Sequence, residues 1–349
     1  MKSLAAILVK SGAELVVDEV EIPSSLEAGQ VLVRVITSGI CGAQINEIDA
    51  AKGPDIFLPH LLGHEGYCEV IETGPEVNKL TAGDHAVMHW RPGSGKQSRT
   101  PLYKWEGTTV NAGWVTTFNQ YSVVSENRLT RIKPFALSRD LLPLLGCALT
   151  TSFGVLHREL QLNESDKVLI FGAGGVGLSM IKILNSIGVS KLCAVDISEE
   201  KLDLAKKFGA TDLVHFEDKQ KALSAIKKCF SQELPVVAID TTGNTKCIEL
   251  AYETTSPQGT VMLVGVPKIG EKSSFYTLPL HFGKQIVGSS GGGSKPEIDI
   301  PILIGKIESA EINFSDFPTE RYSLKQINDA IANLRDGRAG RMIIDMELK

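Results

Sequence analysis

The hydrophobic pattern changes character partway along the chain. Up to about residue 135, short runs such as "AGQVLVRVIT", "GYCEVIETG", "GDHAVMHW" and "FNQYSVVS" are separated by Gly and Pro. Runs of this kind predict an antiparallel, partly barrel-like domain. The apolar run Leu4 to Val9 stops at Lys10 with no small-residue cleavage site after it, so it reads as a strand rather than a secretion signal. Residues 139–160 carry apolar residues at helical spacing, with Pro143 near the first turn, where proline is tolerated.

After Ser165 the rhythm becomes strand–helix–strand. "KVLIFG", "KLCAVD", "DLVHF", "PVVAID", "GTVMLVG" and "QIVGS" are continuous apolar runs. "VGLSMIKILNSIG" and "EEKLDLAKKFG" have helical spacing and end in Gly188 and Gly209. Continuous apolar strands alternating with helices predict a parallel sheet covered on both faces. The Gly291–Gly292–Gly293 run marks a return between domains, and the tail 300–349 reads as two helical stretches and a final strand "RMIIDME". The domains are therefore expected at 1–149 with 290–349, and at 150–289.

Composition narrows the partners. The 349 residues carry a formal net charge of −5, which argues against nucleic acid or an anionic membrane surface. No run approaches the roughly 18 apolar residues of a membrane span. The six cysteines are scattered through apolar segments without a CxxC pair, which suggests a reducing, cytoplasmic setting.

"VLIFGAGGVGLSM" places Gly172, Gly174 and Gly177 in GxGxxG spacing, after a strand and at the start of a helix. Asp196 ends the next strand, 19 residues beyond Gly177. This is the fingerprint of a dinucleotide site in a doubly wound sheet. Gly172 permits the tight turn, Gly174 lets the backbone approach a pyrophosphate, and Gly177 permits close helix–strand packing. The helix N-terminus supplies free N–H groups to the phosphates. A carboxylate at Asp196 accepts from a ribose 2′-hydroxyl and repels a 2′-phosphate, and Ile197 and Ser198 supply no arginine for such a phosphate. NAD is expected over NADP.

Cys41 lies 23 residues before His64, and Cys147 lies 83 residues beyond it. These spacings alone fit buried core residues as well as they fit metal ligands. The chain as a whole resembles the zinc-type alcohol dehydrogenase group of the medium-chain dehydrogenases/reductases. The resemblance is carried in family order by "GICG" at 39–42, "GHEGYCEVIETGPEVNKLTAGDHAV" at 63–87, "GCALTTSFGVL" at 146–156 and the Gly-rich segment 168–188. It continues through "AVDISEEKLDLAKKFGATD" at 194–212, "LVGVP" at 263–267 and "LRDGRAGRMII" at the C-terminus.

The resemblance implies an α/β chain with a GroES-like β-rich catalytic domain and a Rossmann cofactor domain. It implies a catalytic zinc held by Cys41, His64 and Cys147, with Glu65 beside it in the metal set. It implies NAD contacts from Gly172, Gly174, Gly175, Val176, Gly177, Asp196, Lys201, Val264, Gly265 and Val266, with Arg341 on the pyrophosphate. Two thiolates and an imidazole leave a fourth zinc position open for substrate, where the metal acts as a Lewis acid. A homodimer or homotetramer is expected.

Three departures from the family stand out. Ala43 replaces the usual hydroxyl that begins a proton relay, and Gln44 replaces the usual Asp that orients the ligand histidine. The stretch 90–114, where many members carry four cysteines around a structural zinc, contains none, so one zinc per chain is expected. That stretch and the two residues before it hold Trp90, Trp105 and Trp114 together with Arg91, Lys96, Arg99 and Lys104, against a single acid, Glu106. It reads either as a solvated loop with aromatic anchors or as a collar that grips a sugar or ring substrate. His89 and Trp90 are the candidates to line the pocket, and His89 and Glu65 the candidates for a proton exit. His60, His85, Cys68, Cys193, Cys229 and Cys247 read as structural.

The expected activity is hydride transfer between NAD and a secondary alcohol, polyol or sugar-like substrate. The alternative is a non-catalytic or regulatory dinucleotide-binding protein on the same scaffold.

Overall fold

The computed structural model describes residues 1–231 and 233–348. The N-terminal β-rich part forms two sheets. Five short strands, Lys2–Leu8, Val16–Glu21, Leu102–Trp105, Thr108–Asn111 and His60–Leu61, close into a barrel. The second sheet is built around the long strand Gln30–Ile40, which pairs antiparallel with Glu65–Thr73, Tyr121–Ser125 and the C-terminal strand Arg341–Asp345. Glu65–Thr73 pairs in turn with His85–His89. The C-terminal tail thus returns to the N-terminal half by strand pairing, with Ile344 opposite Ser38.

The register between Gln30–Ile40 and Glu65–Thr73 slips twice, between Leu32 and Val33 and between Val35 and Thr37. A bulge bends a strand and re-aims the residues beyond it. Here the second slip lies just before Gly39 and Cys41.

Six parallel strands form the other layer, in the order Asp212–His215, Lys191–Asp196, Lys167–Phe171, Val237–Asp240, Thr260–Leu263, Gln285–Gly288. Numbered along the chain, this is 3-2-1-4-5-6, the doubly wound order with its switch point between the first and fourth strands. Val168, Leu169, Ile170 and Phe171 are all buried, as a central strand covered on both faces requires. Thr241 spans the switch point, its hydroxyl donating to the carbonyls of Phe171 and Gly172.

The helix expected over 139–160 is not continuous. A 3-10 turn, Leu142–Gly146, runs into helix Ala148–Gly154 and then a wider π turn, Val155–Leu160. The break is at Cys147, whose φ of −146° and ψ of −74° lie outside the helical region. Periodicity reports the buried face but is blind to a break that keeps that face inward. No helix among the described residues is long and apolar enough to cross a membrane.

Candidate active site

Three separate elements deliver three donors. Cys41 follows the re-aimed end of strand Gln30–Ile40 and caps the short helix Gly42–Ile48. His64 precedes strand Glu65–Thr73. Cys147 sits at the helix break, and Gly146 before it makes the approach possible, because a Cβ there would collide with the Met88 carbonyl and crowd the Glu65 backbone. The Cys41 and Cys147 sulfurs and a His64 ring nitrogen all lie within 4.8 Å of one another.

The donor chemistry fits zinc. His64 Nε2 is buried with no hydrogen-bond partner, while its Nδ1 faces the Gln44 side-chain amide. A hydrogen bond from Cys147 holds the Cys41 thiol well below the usual thiol range, and the Cys147 thiol is pushed well above it by that same bond. Without metal the two sulfurs share one proton. A divalent cation would displace that proton and occupy the face to which His64 Nε2 is turned. The Trp90 indole and the Thr151 hydroxyl also donate towards Cys147.

Gln44 does two jobs. Its Oε1 accepts the Cys41 N–H at 2.8 Å, closing a capping box, and its amide nitrogen lies against His64 Nδ1; metal binding through Nε2 would put the ring proton on Nδ1 and turn the amide oxygen towards it. The amide is neutral where a carboxylate would bring charge to the histidine.

Glu65 stays outside the donor cluster, which corrects its inclusion among the metal ligands. It is fully buried and its Oε1 pairs with the Arg341 guanidinium. Arg341 also reaches Cys41, and burial lowers its pKa. Its Nη1 lies against Gly175, in the first turn of helix Gly175–Ile187, and its Nε has no partner. One arginine therefore stands between the metal cluster and the glycine turn.

His89 does not line the cluster. It is fully buried, its Nδ1 meets the Arg91 carbonyl at 2.7 Å and its Nε2 meets the Thr130 hydroxyl at 3.0 Å. Desolvation pushes its pKa down to about 4. A ring with both nitrogens engaged and no path to solvent is a structural residue, so the expectation of a pocket-lining, proton-carrying His89 is corrected.

Much of the basic, Trp-rich stretch finds partners away from the donor cluster. Trp105 donates to Asp18, Trp114 donates to the Ser98 carbonyl, and Lys96 pairs with Glu76. Arg91 binds the carbonyls of Ser290 and Ser294, joining this stretch to the glycine run 291–293. Trp90 alone reaches the cluster, through Cys147. His60 pairs with Asp55 at 2.7 Å, and His85 with the Tyr67 hydroxyl at 2.7 Å.

At the switch point the carbonyl of Gly172 leaves no room for a Cβ on Gly177. Asp196 accepts the N–H groups of Ala173 and Ser198 at 2.7 and 2.9 Å, placing its carboxylate against the glycine turn. The N–H groups of Val264 and Gly265 bind the Asp240 carbonyl, and Val266 continues outward, exposed, past the strand end. Lys201, in the first turn of helix Glu199–Lys207, reaches towards Gly337 in the turn that precedes Arg341. Sequence reasoning missed Glu47, one helical turn beyond Ala43. Its signal was the four-residue spacing within "GAQINEI".

Comparison with known proteins agrees with this geometry. Residues 27–134 match the alcohol dehydrogenase GroES-like domain, and residues 175–307 match the zinc-binding dehydrogenase family. An S-(hydroxymethyl)glutathione dehydrogenase of Photobacterium damsela subsp. piscicida is 28% identical, covering 99% of this chain and all of that protein. One from Synechocystis is 27% identical with the same coverage. The crystal structure of benzyl alcohol dehydrogenase from Acinetobacter calcoaceticus superimposes with a TM-score of 0.86 at 26% identity, covering 99% of both chains. An alcohol dehydrogenase zinc-binding domain protein from Burkholderia ambifaria gives 0.89 at 26% identity, covering 100% of both. The chain belongs to the zinc-type alcohol dehydrogenases of the medium-chain dehydrogenase/reductase superfamily.

Proposed function

We propose that this chain is an NAD-preferring alcohol dehydrogenase with one catalytic zinc, held by Cys41, His64 and Cys147. The observation that carries the reading is the meeting of two sulfurs and an imidazole within 4.8 Å, with His64 Nε2 unpartnered. The zinc would supply Lewis-acid polarisation of the alcohol oxygen. The protein supplies the rest. Gln44 orients the imidazole, Trp90 and Thr151 stabilise the Cys147 sulfur, and Arg341, with its Nε unpartnered and its Nη1 beside Gly175, would meet a pyrophosphate at the helix N-terminus. The absence of cysteine from 90–114 supports a single zinc.

The substrate class we favour rests on exposed apolar side chains carried by two joined loops. Of the tryptophans and cations that would suit a polyol or sugar, Trp105, Trp114, Arg91 and Lys96 have other partners, and Trp90 is the one that reaches the donor cluster. Loop 51–57 carries exposed Ile56 and Phe57 and is joined to loop 266–270 by the Ile269 N–H on the Ala51 carbonyl at 2.8 Å. Val266 and Ile269 are exposed as well. If these side chains meet the substrate, they favour a primary or secondary alcohol with an apolar or aromatic body over a polyhydroxylated one.

A second copy of the chain is the proposed partner. The strand Gln285–Gly288 ends the parallel sheet, and Tyr276, Leu278, Phe282 and Val287 are exposed around it. An open apolar edge of this kind favours pairing. Light scattering would read a dimer, and Phe282→Glu should shift it towards monomer.

The test of function is elemental analysis followed by turnover. Protein purified without chelator should hold one zinc and reduce NAD in the presence of aromatic or aliphatic alcohols. Zinc and NAD binding without oxidation of any alcohol would instead favour a non-catalytic dinucleotide-binding protein.

A further inference from the structure

Oxidation of an alcohol must release a proton, and Ala43 cannot carry one. The short helix Gly42–Ile48 places Ala43 and Glu47 four residues apart, on one face. Side chains on a helix lean towards its N-terminus, so Glu47 leans over Ala43 and towards Cys41. The same helix is fixed against the metal cluster by Gln44, three residues before Glu47, which touches His64. Ala43 is exposed, and its methyl leaves space for water where a longer side chain would stand.

Glu47 is the one carboxylate inside this helix, and among the described residues it makes no ion pair. His60, His64, Asp55 and Lys52 are the charged or titratable groups within electrostatic reach of it. The residue is open to solvent. Desolvation by the surrounding protein pushes its pKa above the usual carboxylate range, against the opposing pull of His60 and His64. A carboxyl held closer to neutrality is a better proton acceptor at working pH than an ordinary one.

We propose that Glu47 is the proton acceptor of this site, receiving the alcohol proton across water over the Ala43 methyl and releasing it to solvent. The proposal rests on the dehydrogenase reading above. In the step, the carbinol C–H bond breaks and its electron pair leaves as hydride to the nicotinamide of NAD, which is reduced. The O–H bond breaks and its proton goes to the Glu47 carboxylate. The carbonyl double bond forms, and the alcohol is oxidised by two electrons. In the reverse direction the protonated Glu47 returns the proton to the carbonyl oxygen.

Two measurements test this. The first is the pH profile of single-turnover hydride transfer, compared between wild type and Glu47→Gln after zinc content and NAD affinity are shown to match. The variant should lose about 10²–10⁴-fold at neutral pH. It should also lose the limb that reports the acceptor, and recover part of the rate with added imidazole or when Ala43→Ser is introduced in the same chain. An unchanged rate and profile in Glu47→Gln would overturn the proposal while leaving the dehydrogenase reading intact. A lowered rate that neither imidazole nor Ala43→Ser restores would also overturn it, because a merely structural role predicts that result. The second measurement needs no turnover. In metal-free protein with carboxyl-labelled glutamate, the resonance that disappears in Glu47→Gln should titrate above the ordinary glutamate value, and titration at or below that value would overturn the assignment. Failure of the wild type to oxidise any alcohol would remove the dehydrogenase reading itself.

Discussion

Glu65 and Arg341 form a buried ion pair that joins the strand behind His64 to the last strand of the chain. Both side chains are almost wholly withdrawn from water, at 0% and 4% exposure. Removing one partner strands the other, which typically costs about 3–5 kcal/mol. Glu65→Gln and Arg341→Met should each lower the melting temperature clearly. Combining Glu65→Gln with Arg341→Met should cost less than the two single changes added together, since neither charge is then left facing an absent partner. Strict additivity in thermal unfolding would show that the pair is not the stabilising unit.

The metal cluster predicts ligand-specific loss. Cys147→Ser should abolish stoichiometric zinc in protein prepared without chelator, while an unchanged zinc content would place the metal elsewhere. Gln44→Asp should move zinc affinity upward by about 10–100-fold, because an ionised partner raises the basicity of the ligand histidine. Competition against a chromophoric chelator reads this without turnover. Equal affinity would mean that the neutral amide already does all that a carboxylate could.

Cofactor choice is expected to turn on Asp196. Its carboxylate stands against the glycine turn, where it would repel a 2′-phosphate. Calorimetry should give tighter binding of NAD than NADP, and Asp196→Ala should narrow the gap. Equal affinities in the wild type would show that the ribose is read by another residue.

His89 predicts an acid-sensitive fold. Its pKa is pushed down to about 4 from an ordinary value of 6.5, because burial penalises the cation. Below pH 6.5 the unfolded chain takes up a proton that the folded chain refuses until about pH 4. Stability is therefore full above 6.5 and falls as pH drops through this window, by about 3 kcal/mol at most from this residue. Urea unfolding across the window should show the slope, and His89→Asn should flatten it. A slope that survives the substitution would assign it to other groups.

The sequence by itself determined the two folding regimes. Continuous apolar strands alternating with helices leave a parallel sheet as the natural way to bury both faces, and Lys167–Phe171 through Gln285–Gly288 form that sheet. The glycine spacing also announced the switch point, since Gly177 packs where no Cβ fits. These signals are local, set by the side chain and backbone freedom of each residue and its near neighbours. The site was only half legible. Cys41, His64 and Cys147 were named through a family resemblance, but their approach depends on a register slip, a glycine contact at Gly146 and a helix break at Cys147, none of which periodicity records. His89 read as a pocket residue because it ends the strand leading towards the cleft. Only the packing of Thr130 and the Arg91 carbonyl turned its ring inward. Glu47 was passed over for the opposite reason. A glutamate on a short helix is ordinary in sequence, and it gains meaning only when tertiary structure sets that helix against His64, with His60 and Asp55 folded alongside.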